Sequence, residues 1–487
     1  MTSPQAGWEL AEIPELSAWD RELPPIRIPV SGNIPTTRRL RALVDSAAFQ
    51  RLRRVRQTGP AYLVYPGAVH TRFEHSLGTY EMARRLVLAL GARSGDGPRL
   101  SPDDVRTFLV SALLHDVGHY PFSHTIEEIP DAPVLAGRLP RHEERGAAII
   151  RENDEIRQIL TDLWQVDPER VCRILREEDD GRAGGEPGAQ GAEPGGAATE
   201  TGAGATAAAA EAVPEADRRL ARLLSGPINP DRLDYLARDS EHIGVPYGRG
   251  IDYQRLLDAV CWTPDGMGVG VTPKGVSAVE TLIFASYIMY RDVYWHHTGR
   301  IAAAMLRRAL TEALLAGDFA IEDFIHLDDE QALSLLRASD NPVTRDLVER
   351  LTGAGRRLYK RVARLNYSRA LAGDYGEEIR DLVQAGYWER ESWARDTCRV
   401  LGRRLARPVE DHHLLVDIVG GGKDLFFEVP VVAGGRVYTT ADPEVSVLAP
   451  YIARNFQEQA KYVLLAAPAE LAGEFRQLLR LPAGWQP

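Results

Sequence analysis

Cysteine is scarce in this chain: Cys172, Cys261 and Cys398 are the only three among 487 residues, odd in number and far apart. That argues against a disulfide framework and against a cysteine-ligated zinc site. No apolar run reaches the roughly 18 residues that a bilayer crossing requires. The opening MTSPQAGWELAEIPELSAWD has neither the basic start nor the apolar core of a secretory signal, so a cytoplasmic location is expected. Positive charge is in deficit too. A net charge of −11 disfavours nonspecific binding to nucleic acid or to an anionic membrane. A local basic cleft is still compatible with that balance, and Arg51, Arg53, Arg54, Arg56 and Arg72 cluster where one would lie. For Arg51, Arg54 and Arg56 a solvated helix face is the preferred reading.

What is present is the composition of a globular protein, 44% hydrophobic and 26% charged. The length exceeds one ordinary core, so one large domain and a smaller one are expected. Residues 1–30 are interrupted by proline and read as a surface tail. Residues 31–407 read as mainly helical, for example with Leu40, Leu43, Val44, Ala47 and Ala48 on one face. Within them, 178–215 is rich in Gly, Ala, Glu and Pro with almost no large apolar residue, the composition of a disordered insertion. From 408 to 487 the strand-like HLLVDIV, DLFFEVPVV, GRVYTT and KYVLLAAP indicate a small α+β cap.

The chain is organised around FLVSALLHDVGHYPFSHTIEE, Phe108 to Glu128. Its apolar residues recur every three to four positions, so a buried helix delivers the adjacent His115 and Asp116 at its end. His75 upstream and Asp231 downstream complete a set of two imidazoles and two carboxylates from three segments. Such mixed nitrogen and oxygen donors suit a divalent ion of the manganese, iron, zinc or magnesium kind. Without a cation, two buried carboxylates would repel and raise each other's pKa. His124 and Glu127 lie three apart and share a helix face, so the carboxylate can hold a proton on the imidazole. Taken alone, His142 reads as a helix cap and His119 as a core hydrogen-bonding group.

Four stretches, FQRLRRVRQTGPAYLVYPGAVHTRFEHSLG, LLHDVGHYPFSH, HEERG and DRLDYLARDSEHIG, occur in the order found in HD-domain phosphohydrolases. Over Asp45 to Arg407 the chain resembles the deoxynucleoside triphosphate triphosphohydrolases of that superfamily. These include bacterial dGTPases and animal members that add a sterile-alpha-motif domain.

The resemblance implies a helical HD metallohydrolase core with His75, His115, Asp116 and Asp231 as metal ligands. It also implies His124 as general acid assisted by Glu127, with His119 and His142 as positively charged partners of the attacked phosphate. Arg72 and Arg232 correspond to phosphate-holding positions, and Gln57 and Asp239 to a pair that bonds the sugar 3′-hydroxyl. Tyr235 and Tyr294 correspond to the walls of a deoxyribose site. Ser286 stands where animal members have an arginine, leaving Arg291 as a substitute grip on the terminal phosphate. Thr58 replaces an apolar residue near the base. Asp45, Gln50 and Arg53, with Arg356 and Lys360, match positions that hold an activating guanine nucleotide between subunits, although His297 stands where a lysine is expected. Relatives of this kind form dimers or tetramers. The reaction implied is release of deoxynucleoside and tripolyphosphate; hydrolysis of mono- or cyclic nucleotides, and nucleotide sensing with little turnover, are the alternatives.

Overall fold

The computed structural model describes residues 13–17, 23–93, 97–129, 132–135, 139–183, 213–420 and 428–481. Most of the segment read as a disordered insertion therefore lies outside the described residues, as does most of the tail before Leu23. The tail residues that are described do not simply lie over the surface. Glu15 is buried and accepts hydrogen bonds from the Thr37 hydroxyl and, at 2.8 Å, from Arg39 Nε.

The principal helices are α1 (Arg38–Asp45), α2 (Arg72–Ala92), α3 (Pro102–Leu114), α4 (His124–Glu127), α5 (His142–Glu152) and α6 (Pro168–Ala183). They continue with α7 (Glu215–Ser225), α8 (Pro230–Ile243), α9 (Val276–Ile288), α10 (His297–Ala316), α11 (Asp329–Arg337) and α12 (Tyr387–Leu405). Local chemistry sets the ends that matter. Ser101 and Asp104 form a reciprocal capping box ahead of α3. Asn229 caps α8, Pro230 opens it, and Gly244, at φ 84°, closes it in the left-handed region. The helix α2 is buried on almost every side and forms the axis of the large core, with α3 and α8 against it. Helices α6 and α7 pack on each other, joined by Arg170 Nε donating to Asp217 at 2.6 Å.

The strands are β1 (Ile26–Ile28), β2 (Gly32–Ile34), β3 (Val260–Trp262), β4 (Val269–Val271) and β5 (Lys360–Asn366). They are followed by β6 (Leu415–Val419), β7 (Pro430–Ala433), β8 (Arg436–Thr439) and β9 (Tyr462–Ala467). The expected cap strands divide between two sheets. β6 and β9 join β5 in the antiparallel order β5-β9-β6, whereas β7 and β8 extend β3-β4 of the large core through a parallel pairing at Val271 and Val431. Strand β5 lies inside the stretch read as helical. A second apolar core, with Val362, Leu365, Leu382, Cys398, Val416, Leu465 and Phe475, gathers on the β5-β9-β6 sheet. The molecule is thus mainly helical with a smaller strand-containing C-terminal region.

Candidate active site

Three helix ends converge. The first turn of α2 carries Arg72 and His75, the end of α3 passes into His115 and Asp116, and the first turn of α8 carries Asp231 and Arg232. His75 Nε2 lies 3.0 Å from Asp231 Oδ1 and 3.6 Å from Asp116 Oδ2. His115 Nε2 lies 3.3 Å from Asp116 Oδ1 and 3.8 Å from Asp231 Oδ1, and is buried with no hydrogen-bond partner. Donor atoms of His75, His115 and Asp231 all fall within 4.8 Å of one another. Two imidazole nitrogens and nearby carboxylate oxygens around an orphaned buried nitrogen fit a divalent metal.

The orientation of these side chains is controlled from behind. His75 Nδ1 meets Asp234 Oδ2 at 2.9 Å, and His115 Nδ1 meets the Ala112 carbonyl at 2.8 Å, so in each ring Nε2 is the nitrogen turned to the site. Burial pushes the His75 imidazole down, but the bonds to Asp231 and Asp234 outweigh it and raise its pKa to about 10. Burial alone would raise the Asp116 carboxyl; Arg72, His115 and His119 hold it well below its usual range. Asp234 is absent from the sequence reading. Its signal was its place one helical turn after Asp231. Gly78 makes room for it, because a Cβ there would stand 1.9 Å from Asp234 Oδ1.

Beside this group stand three more imidazoles. His119 Nε2 is 3.0 Å from Asp116 Oδ1, and its ring stacks on His142 at 3.9 Å and meets His124 edge-on at 4.8 Å. Glu127 joins the other two: Oε2 takes His124 Nδ1 at 2.7 Å, and Oε1 takes His142 Nδ1 at 2.8 Å and the His142 backbone N–H at 3.0 Å. The rings do not share one charge state. Burial lowers the His142 imidazole, yet Glu127 and Glu143 raise it to about 9, so it is a cation at neutral pH. Burial, Arg72 and His142 hold His119 well below its usual value. A second positive ring stacked on His142 and close to Arg72 is electrostatically disfavoured, which runs against the cationic His119 that the resemblance implies. The short helix α4 begins after Phe122 and Ser123 in the left-handed region, at φ 60° and 55°.

The groups face a cavity of about 1400 Å³, above the roughly 300–1,000 Å³ of ordinary ligand pockets. Gln57, Thr58, Arg72, Arg232, Tyr235, Asp239 and Tyr294 all line it. Gln57 Oε1 and Thr58 Oγ1 are buried there without partners. The cationic residues are already engaged. Arg72 donates to Asp116 at 2.8 Å, Ser123 at 3.0 Å and the Gln57 carbonyl at 3.2 Å. Arg232 donates twice to Ser286, at 3.1 and 2.8 Å, and to the Pro227 carbonyl at 3.2 Å. Asp239 accepts the Tyr294 hydroxyl at 2.6 Å and faces His70 Nε2 at 2.8 Å, which joins His70 to Asp239 and Tyr294, a contact the sequence reading did not assign. Tyr294 belongs to a π-helical turn, Met289–Tyr294, that follows α9. Arg291 pairs with Asp292 at 2.8 Å and does not line the cavity.

The residues matched to a guanine-nucleotide site separate into two groups. Arg356, Lys360 and His297 surround a smaller cavity of about 180 Å³. There burial and His296 lower His297 to about 4, so its ring is neutral, unlike a lysine. Asp45, Gln50 and Arg53 do not line that cavity; Asp45 is 3.8 Å from Arg41, and Arg53 donates to Gln50 at 2.7 Å and lies over the Phe73 ring.

The solvated-face reading holds for Arg54, which is mostly exposed beside Asp328, but not for its neighbours. Arg51 donates to the Leu327 carbonyl at 2.8 Å and to the His119 carbonyl, while Arg56 pairs with Asp329 and Glu330. Carbonyls of the loop after His115-Asp116 need donors, and helix-spacing arguments do not see a partner supplied from so far along the chain.

Residues 72–221 match the HD domain and residues 251–468 the HD associated region. The chain is an HD-domain protein. Its relatives include an uncharacterized protein of Methanocaldococcus jannaschii, 33% identical over 67% of this chain and 56% of that one. The deoxynucleoside triphosphate triphosphohydrolase SAMHD1 of Homo sapiens is 28% identical over 61% of this chain and 45% of its own length. The chain thus spans about half the length of these curated relatives. Among solved structures, a hypothetical protein from Aquifex aeolicus is 27% identical with a TM-score of 0.62, covering 93% of this chain and 99% of that one. A phosphohydrolase from Bacteroides thetaiotaomicron has the same TM-score of 0.62 at 22% identity, covers 91% of this chain and 99% of that one, and shares its fold. Among the described residues of the HD-domain protein, no helix is long and apolar enough to cross a membrane.

Proposed function

We propose that this HD-domain protein is a divalent-metal-dependent phosphohydrolase that converts a deoxynucleoside triphosphate to deoxynucleoside and tripolyphosphate. The carrying observation is His119, which stands between two groups: 3.0 Å from Asp116 of the ligand set and 4.8 Å, ring to ring, from His124. Hydrolysis needs a held phosphate, an activated water and a proton for the leaving oxygen, and these groups supply the three within one cavity. The similarity to SAMHD1 supports the triphosphate substrate, and Gln57, Asp239, Tyr235 and Tyr294 along the cavity support a nucleoside in the same space.

His75, His115, Asp116 and Asp231 would hold the metal, and a divalent cation bound there supplies Lewis-acid activation of water and phosphate oxygens. His142, cationic at neutral pH, offsets charge on the phosphate. His124 gives its proton to the 5′-oxygen as water attacks the α-phosphorus and the bond between phosphorus and that oxygen breaks. The donor is the His124 imidazolium: Glu127 holds the Nδ1 proton and favours the charged ring against burial, which lowers its pKa, and the second proton, on Nε2, is the one transferred. Homo-oligomers and a guanine-nucleotide activator accompany this reading, on the resemblance described above.

One observation favours a second reading. Arg72 and Arg232 spend their guanidinium donors inside the protein, and Ser286 occupies an arginine's place, so the hold on a β- or γ-phosphate is weaker than on the α-phosphate. Mono- or cyclic nucleotides then become the substrates.

The deciding experiment incubates metal-reconstituted protein with each of the four deoxynucleoside triphosphates, beside a His115→Ala, Asp116→Ala control, and separates products by ion exchange. Deoxynucleoside with tripolyphosphate in the wild type alone establishes the first reading. Intact triphosphates alongside hydrolysed monophosphates or cyclic nucleotides establish the second.

A further inference from the structure

Immediately after the His124-Glu127 pair, the chain turns Glu128 away from the imidazoles and onto α10. Arg300 grips it in a bidentate fork, Nη1 to Oε1 at 2.8 Å and Nη2 to Oε2 at 2.7 Å, and Arg307 donates to the same carboxylate. Arg300 and Arg307 are seven residues apart and hence on one face of α10. Both also hold Asp417 on β6: Arg300 at 2.8 and 2.7 Å, Arg307 at 2.6 Å. Two guanidinium groups and two carboxylates thus form a closed, charge-balanced square that ties α4 to the three-stranded sheet. Arg307 and Asp417 are almost fully buried, Arg300 mostly so and Glu128 partly exposed, and all four line the large cavity.

The square sits where α4 most needs an anchor. The helix is four residues long, too short to hold itself in place, and its entry carries two residues of positive φ. More than half of the His124 side chain is exposed to the cavity, and its Nδ1 is fixed only to Glu127, one residue before Glu128.

We infer that Arg300, through Glu128, is a positioning residue that sets where His124 stands over the reacting phosphate, and that Asp417 extends this control to the C-terminal sheet. The Arg300 guanidinium bonds Glu128 and Asp417 and neither the imidazoles nor the carboxylates beside them, so its removal is expected to misplace the proton donor more than it weakens substrate binding. Displacements of about 1 Å at such a group cost on the order of 100-fold in rate.

The kinetic part of the test rests on the phosphohydrolase reading; the spectroscopic part does not. Arg300→Lys keeps the charge but loses the fork, and Glu128→Gln keeps the size but loses the charge. Arg308→Lys is the control, since Arg308 lies deeper still on α10 but bonds Glu312 and Glu391. In metal-loaded full-length protein, both test variants are expected to lose about 10- to 100-fold in kcat with KM within twofold, while the control keeps both constants. The His124 imidazole resonance, assigned by its loss in His124→Ala, is expected to shift or broaden in the two test variants and not in the control. Unchanged kcat in both test variants overturns the inference, as does a rise in KM that accounts for the lost activity. If the wild type turns over no substrate, the proposed function falls, and the His124 resonance alone decides: unchanged in both variants, it overturns the inference as well.

Discussion

Asp234 Oδ2 lies 2.9 Å from His75 Nδ1 and shares its other oxygen with Arg238 at 2.7 Å, so a buried carboxylate and guanidinium together set the face that His75 turns to its neighbours. A ligand ring held this way presents its free nitrogen without loss of rotational freedom. Asp234→Asn is expected to weaken metal binding by about 10- to 100-fold, measured by calorimetric titration of the metal-free protein, with Asp231→Asn weaker still. Equal affinity in Asp234→Asn and wild type would remove Asp234 from the site.

Metal should stabilise the folded chain as any ligand of the native state does. At a free concentration of about 100 times Kd the gain is about 2.7 kcal/mol, visible as a rise in Tm that a chelator reverses. His115→Ala should lose that rise and His124→Ala should keep it, because only the first supplies an orphaned nitrogen to the ligand set. A metal-independent Tm in the wild type would argue against the assignment.

Arg51 fastens the loop that carries His119. Arg51→Met leaves the Leu327 carbonyl without its side-chain donor and the His119 carbonyl with Arg145 alone, and the expected destabilisation is about 1–3 kcal/mol. Urea unfolding measures it. A change within a few tenths of a kcal/mol, as Arg54→Met should give, would return Arg51 to the solvated face.

Acid should loosen the C-terminal sheet from the helical core. Burial would raise the Asp417 carboxyl, but Arg300 and Arg307 outweigh it and lower it from 3.8 to about 2. A folded pKa below the unfolded one gives stability that is complete above about pH 4 and lost as the pH falls toward 2. Arg300 and Arg307 lower Glu128 in the same sense, against its burial. Denaturation midpoints across pH 5 to 2 should therefore fall steeply in the wild type and less steeply in Asp417→Asn, which starts lower because its arginines have lost a partner. Parallel pH profiles would contradict this.

The convergence of His75, His115, Asp116 and Asp231 was legible because each sits beside a helix end that local signals mark: the apolar period before His115, Pro230 before Asp231, the amphipathic run after His75. Partners supplied from a distance were not. Asp234 looks like any surface carboxylate of α8 until α2 packs beside it, and the role of His70 depends on Asp239, far along the chain. Strand β5 escaped notice because a register shift between Arg361 and Ala363 breaks its alternation. The separation of β7 and β8 from β6 and β9 rests on pairings with β4 and β5, which no local pattern reports.

Helices α6 and α7 meet directly through Arg170 and Asp217, so their mutual placement does not depend on the peptide link between them. A chain cut in that interval would leave His75, His115 and Asp116 on one fragment and Asp231 on the other, with matching helix faces to bring them back together. Such a divided protein would act as a complementation pair, in which recovery of the metal site reports that the two halves have found each other.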